Sequence, residues 1–226
     1  MGFLLETHMH TKEASACATL DAASQVRQYK AAGYDGIIVT DHFVNGNSRV
    51  DRSLAWEEQM REQFKGYRKA CEEGERIGLK VFCGSEYAYY GTEFIVIGLG
   101  EDWFCRHHEV MEMEPTEFLP YFREAGAAII QAHPFRKASY IKEIRLYPEL
   151  VDAVEVYNHS NWTEWNRKAR EFAERTGRPF SSGSDCHHRA TYGGGIILEK
   201  APEDEADLIS IIRSGSGWKI VEGKLP

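Results

Sequence analysis

The stretch Gly36-Ile37-Ile38-Val39-Thr40-Asp41-His42 decides how this chain is read. Its apolar run is short and β-branched, which suits a strand covered on both faces. An ionisable pair follows at once. The same form recurs along the chain. Phe3 to Thr7 runs into His8, and Lys80 to Gly84 into Ser85-Glu86. Ala127 to Ala132 runs into His133-Pro134, Val151 to Val156 into Tyr157-Asn158, and Pro179 to Gly183 into Ser184-Asp185-Cys186-His187. Phe94 to Gly98 and Gly195 to Leu198 are further candidate strands.

Helix-like segments fill the intervals. One holds Leu20, Ala23, Val26 and Ala31 and stops at Gly33. Others cover about 54–77, 116–125 and 164–175, stopping at Gly78, Gly126 and Gly177, and a last one covers about 203–212. Glycine just past a helical pattern is a good stop. Strands alternating with helices imply an α/β fold built on parallel strands. With 226 residues and no linker-like stretch, we expect one domain over 1–226.

Composition narrows the classes. The chain is 42% hydrophobic and 27% charged, as ordinary globular proteins are. Its net charge of −8 argues against a long nucleic-acid partner. Five cysteines, an odd number without a C-x-x-C pair, argue against a disulfide framework and suit a reducing cytoplasm. No apolar run approaches the roughly 20 residues that cross a membrane. The opening Met-Gly-Phe-Leu-Leu-Glu lacks the basic start of a signal peptide. We therefore expect a cytoplasmic protein.

His8, His42, Glu86, His133, Asn158 and Asp185 each follow a candidate strand. In parallel barrels the C-terminal strand ends converge on the face that carries the active site, and open α/β sheets bind ligands there too. The six side chains should therefore meet. His8 and His10 lie two apart and so share a face, as do Asp185 and His187. His42 is the stronger ligand of its pair, with Asp41 placed to orient a neighbour. Glu86 is able to bridge two ions. Pro134 holds His133 extended. A mixture of His and carboxylate suits zinc, manganese or iron, and its size suits two or three ions. Neither G-x-S-x-G nor G-x-x-x-x-G-K-[ST] occurs.

These motifs, from Glu6-Thr7-His8-Met9-His10-Thr11 to Gly183-Ser184-Asp185-Cys186-His187, resemble in type and order those of the PHP (polymerase and histidinol phosphatase) superfamily. The resemblance implies a distorted (β/α)7 TIM-like barrel, up to three ions and hydrolysis of phosphate esters. It implies that His8, His10, Glu86 and Asp185 hold one ion, that Glu86 and His133 hold a second, and that His42 and His187 hold a third. Two family positions lack their usual residue. After the H-x-H pair we expect Glu13 to substitute, with Cys17 the alternative. Between Glu86 and His133 no histidine stands in the strand, and His107, His108 and His159 are the candidates.

The expected reaction is hydrolysis of a small phosphorylated substrate by a metal-activated hydroxide. Asp185 and His187 act at the centre, and Arg136, with Arg189 second, steadies the phosphoryl oxygens. Asn158 is a further donor to phosphate, and His187 or a metal-bound water protonates the leaving oxygen. Trp162, Trp165 and Tyr157 either line the pocket or pack a helix. The alternatives are a nuclease or phosphodiesterase of short nucleotides, another metal-dependent hydrolase, and a metal-binding module without turnover.

Overall fold

The computed structural model describes residues 2–188 and 193–223. Among the described residues, nine strands form one sheet in the order β7-β6-β5-β4-β3-β2-β1-β8-β9. They are β1 (Phe3–Met9), β2 (Gly36–Val39), β3 (Lys80–Tyr89), β4 (Thr92–Ile97), β5 (Ala128–Ala132), β6 (Ala153–Asn158), β7 (Phe180–Gly183), β8 (Ile196–Leu198) and β9 (Trp218–Ile220). The helices are α1 (Ala22–Ala31), α2 (Trp56–Gln63), α3 (Lys65–Ile77), α4 (Glu101–Arg106), α5 (Pro115–Glu124), α6 (Thr163–Thr176) and α7 (Glu205–Ser214).

The sheet curls until its two regions meet. The Asp185 amide donates to the His8 carbonyl at 2.8 Å, and the His10 amide to the Cys186 carbonyl at 3.0 Å. The result is a nearly closed, distorted TIM-like barrel. β1, β2 and β3 pair in parallel, as do β5, β6 and β7. The distortion lies chiefly at β4, which is antiparallel to both β3 and β5. The Tyr90-Gly91 hairpin joins β3 to β4, so no helix intervenes. Only a 3-10 turn (Pro148–Leu150) lies between β5 and β6.

Apolar residues fill the barrel interior at its lower end. Phe3, Leu5, Ile38, Phe82, Ile95, Ile97, Ile130 and Ile196 meet Leu208 and Ile212 of α7 there. Alternate residues face outward. Phe94, Val96 and Ile129 pack with Phe104, Phe118 and Phe122 under α4 and α5. This alternation means that inward positions above the apolar floor project into the barrel mouth. The mouth holds His8, His10, Glu86 and Asp185, each almost wholly buried.

Candidate metal centre

Three local devices aim side chains into the mouth. β1 carries a register irregularity between Glu6 and Met9, so inward-facing Leu5 is followed by inward-facing His8 and His10. A bulge re-aims side chains in this way. His133 follows inward-facing Ala132, and alternation would turn it outward; its φ of +25° brings it in. Asp185 has a φ of +53°. Non-glycine residues in this region are uncommon and concentrate at functional sites. The third device is a close approach. A side chain on Gly183 would lie 2.5 Å from His8 Cβ and 2.8 Å from Glu155 Oε1.

The donor atoms crowd together. His42 Nδ1 is 2.7 Å from Glu86 Oε2, and His133 Nε2 is 2.8 Å from Glu86 Oε1. His8 Nε2 is 3.2 Å from Glu86 Oε1 and 3.6 Å from Asp185 Oδ1. His10 Nε2 is 3.3 Å from Asp185 Oδ1 and 3.5 Å from Glu86 Oε2. Two ligands about 2.1 Å from a tetrahedral ion stand about 3.4 Å apart. Of these contacts, the one between His133 and Glu86 is also a well-formed hydrogen bond. His8 Nε2, His10 Nε2, His42 Nδ1, Glu86 Oε2 and Asp185 Oδ1 are buried without a well-aligned hydrogen-bond partner. Buried polar atoms normally have one. Five such atoms facing each other fit divalent ions, and the sets His8/His10/Asp185, His8/Glu86/His133, His42/Glu86/Glu93 and His10/His42/His187 are each compact enough to hold one.

The outer faces of the same residues are well bonded. His8 Nδ1 meets Glu155 Oε1 at 2.9 Å, which points Nε2 inward. Glu155 Oε2 accepts the His133 amide at 2.9 Å and the Asn158 side chain at 3.0 Å. His10 Nδ1 lies 3.1 Å from Ser15 Oγ, which donates to Asp41 at 2.6 Å. His187 Nδ1 donates to the Asp185 carbonyl at 2.9 Å. Glu6 ties β1 to the end of β7 by accepting the His8 and Ser184 amides, each at 2.9 Å. Burial pushes the Glu6 carboxyl up to about 7.

Charge follows from this packing. Burial disfavours protonated His8, but Glu155, Asp185 and Glu86 outweigh it and raise its pKa well above the ordinary value. His10 moves well below, through burial and then the charges of His187 and His42. Burial opposes ionised Asp185, yet Arg136 and His8 hold it well below the usual carboxylate range. Glu93 is raised, by burial and then by Glu86.

The site residues expected from sequence meet here with one exception, Glu13. Its Oε2 accepts the Ala22 amide at the start of α1 at 3.0 Å, and its Oε1 meets Lys69 at 3.2 Å. Free N–H groups at a helix start and a lysine draw the carboxylate away from the cluster. Cys17 instead lines the cavity with His42 and His187. Where a histidine was sought between Glu86 and His133, Glu93 stands, 3.6 Å from His133 Nε2 and 3.7 Å from His42 Nδ1. His107 stacks on Trp103 and meets Glu109 and Tyr121, His108 packs on Trp56, and His159 meets the Tyr157 hydroxyl. Asn158 spends its amide on Glu155 and Asp185 rather than on a ligand. Glu155 and Glu6 also escaped the sequence reading. A glutamate inside an apolar strand was their available signal.

Arg136 reaches the cluster, its guanidinium paired with Asp185 and with Asn161 at 2.9 Å. Arg189 lies outside the described residues. A cavity of about 920 Å³ opens from the site. Tyr87, Tyr89, Tyr90 and Tyr140 line it, whereas Trp162, Trp165 and Tyr157 do not.

A family model described as PHP-associated matches residues 163–216. No curated protein matches the chain. Among solved structures, a two-domain protein from Bacteroides vulgatus containing a predicted PHP-like metal-dependent phosphoesterase aligns with a TM-score of 0.73 and 14% identity. The alignment covers 100% of this chain but only 66% of that one. An inferred metal-dependent phosphoesterase from Bifidobacterium adolescentis aligns with a TM-score of 0.59 and 15% identity, over 92% and 96% of the two chains. An amidohydrolase from Chromobacterium violaceum, solved with sulfate and no metal, aligns with a TM-score of 0.54 and 15% identity, over 82% and 88%. The chain thus shares its α/β barrel fold with these proteins and, over residues 163–216, is similar to the PHP-associated family.

Proposed function

We propose that this chain is a metal-dependent phosphoesterase for a small phosphate ester, with residues 1–226 forming one domain. The observation that carries the reading is the set of five buried, unpartnered donor atoms facing one another. His8, His10, Asp185 and Glu86 would hold one ion. Glu86 would be shared with a second, held also by His133 and Glu93. His42 and His187 would hold a third. Zinc, manganese and iron all suit such donors. Bound ions supply Lewis acidity and bring water towards neutral pKa.

The chain's own groups do the rest. Glu155 and the Asp185 carbonyl fix the His8 and His187 rings. Arg136 lines the cavity beside Asp185, where it meets the charge on the phosphoryl oxygens. His187 has one nitrogen on a carbonyl and the other 3.5 Å from His42 Nε2, an arrangement that favours ligation over proton delivery. Water entering past exposed Tyr90 and Tyr140 is available to protonate the leaving oxygen. Among the described residues, the cavity wall carries Glu93, Glu112 and Glu114 against one arginine, Arg136, which opposes a long polyanionic strand. The related structures named for phosphoesterases support the same reaction class.

The test is metal content together with hydrolysis of p-nitrophenyl phosphate in added manganese or zinc. Two or three ions per chain with chelator-sensitive turnover are expected. Bound ions without turnover on a broad panel of phosphate esters would point to a binding module. Failure to bind any ion after reconstitution would overturn the reading.

A further inference from the structure

We propose that Ser15 is a positioning residue for two ligands at once: its hydroxyl decides which nitrogen of His10 faces the ion and, through the His42 amide, ties His10 to His42. This deepens the metal-dependent reading above and rests on it.

The hydrogen bonds around Ser15 Oγ leave one assignment of protons. A serine oxygen has one proton to give and two lone pairs to receive with. Asp41 Oδ1 stands 2.6 Å away and also accepts the Thr11 amide at 2.6 Å. Two oxygens so close need a proton between them. Asp41 Oδ2 is engaged elsewhere, with the Thr11 hydroxyl at 2.6 Å, so the proton is the one on Ser15. The His42 amide donates to Oγ at 3.0 Å. With its proton committed, Oγ only accepts from His10 Nδ1, which lies 3.1 Å away. Nδ1 therefore carries the ring proton. Nε2 is left to offer its lone pair towards Asp185 and Glu86, at 3.3 and 3.5 Å.

The fold shuts this network in. Thr11 and Ser15 are fully buried and Asp41 nearly so. On the far side α3 packs its backbone directly on it. A side chain on Gly66 would press on Thr11 Oγ1 and lie 2.6 Å from Asp41 Oδ2. A polar group left without its partner in such a place is costly. Ser15 is also fixed by its own backbone, whose amide donates to the Thr11 carbonyl at 3.0 Å and which bridges to Ser48.

One oxygen thus joins two ligands read above as serving different ions. His42 directs Nδ1 at Glu86 Oε2, 2.7 Å away. Glu155 fixes the ring of His8. Ser15 does the same for His10 and holds the backbone of His42 as well. Loss of the hydroxyl should loosen both.

Nitrogen-15 NMR of the wild-type protein tests the tautomer before any variant is made. His10 should carry its proton on Nδ1 in the metal-free protein and keep it there, in slow exchange with water, when zinc is bound. Ser15→Ala should lose that slow exchange and bind zinc about tenfold or more weakly at its tightest site, by competition with a chelator, with the fold checked by circular dichroism. Asp41→Asn keeps an oxygen to accept from Ser15, so it should retain the Nδ1 proton and most of the affinity. A metal-free His10 protonated on Nε2, or folded Ser15→Ala with wild-type zinc affinity, would overturn the role of Ser15 and leave the metal-dependent reading standing. Wild-type protein that binds no zinc would overturn that reading and the role with it.

Discussion

The closed floor of the site and its rim are built differently. On the floor, His8, His10, Glu86 and Asp185 are almost wholly buried, and Glu155, Ser15 and Arg136 hold their outer faces. At the rim, Cys17 and His187 are partly exposed beside the cavity. The floor donors come from β1 and the residue just after it, from β3 and from the segment just after β7, where the barrel closes. The rim draws on turns and loops. A floor ion would therefore be fixed by the barrel itself. A rim ion would be held by turns and loops instead.

This contrast breaks most visibly at the floor. Asp185→Ala should abolish turnover and remove at least one ion while the chain stays folded, as read by metal analysis and circular dichroism. Normal turnover in this variant would rule out the site as drawn. Next comes Arg136→Ala, expected to lower kcat by about 10²–10³ with the ion count unchanged. Loss of ions instead would show that Arg136 acts by holding Asp185. Glu155→Gln removes no donor to an ion but frees the His8 ring, so affinity for the tightest ion should fall about 10–100-fold by competition with a chelator.

Acid should empty the centre by degrees. Each imidazole must be neutral to ligate. Burial lowers the pKa values of His8, His42 and His187, but neighbouring anionic groups outweigh it and raise all three. Protonation thus competes with the ion from low pH up through and beyond the usual histidine value of about 6.5. Metal affinity should rise with pH across that window, with protons released on binding, measurable by calorimetry in buffers of different ionisation heat. A pH-independent affinity would contradict the ligand set. The smallest effect is reserved for Glu13→Gln. It should leave turnover and ion count unchanged and cost about 0.3–1 kcal/mol at the start of α1, as read by thermal unfolding. A lost ion would restore Glu13 to the centre.

Much of the site was legible because most of the central strands run the same way. Residues that follow an apolar run then land on one face, which is how His8, His42, Glu86, His133 and Asp185 were found. Glu93 escaped for the opposite reason. β4 is antiparallel, so the residue near its start reaches the mouth, and Glu93 precedes the apolar run instead of following it. Its inward partners Ile95 and Ile97 lie deeper in the barrel. Glu155 escaped because it sits inside its strand, where it fixes His8 and His133. Glu13 was chosen by residue type and distance along the chain. Neither reveals that one turn sends position 13 to a helix start and position 17 to the cavity.

The sequence by itself determined the class of fold, the order of the strands along the chain and the main histidines and carboxylates. Hydrophobic periodicity and short motifs are local properties, and they survive without knowledge of what packs against them. Tertiary structure alone decided the direction of β4, the inward turn of His133 and Asp185 through positive φ, and the placing of Glu13 at a helix start and of Cys17 at the cavity. Those outcomes depend on contacts between segments far apart in the chain, such as Ser15 with Asp41 and Glu155 with His8. Side-chain direction at a strand end is set by such contacts, because a single residue's φ turns it in or out.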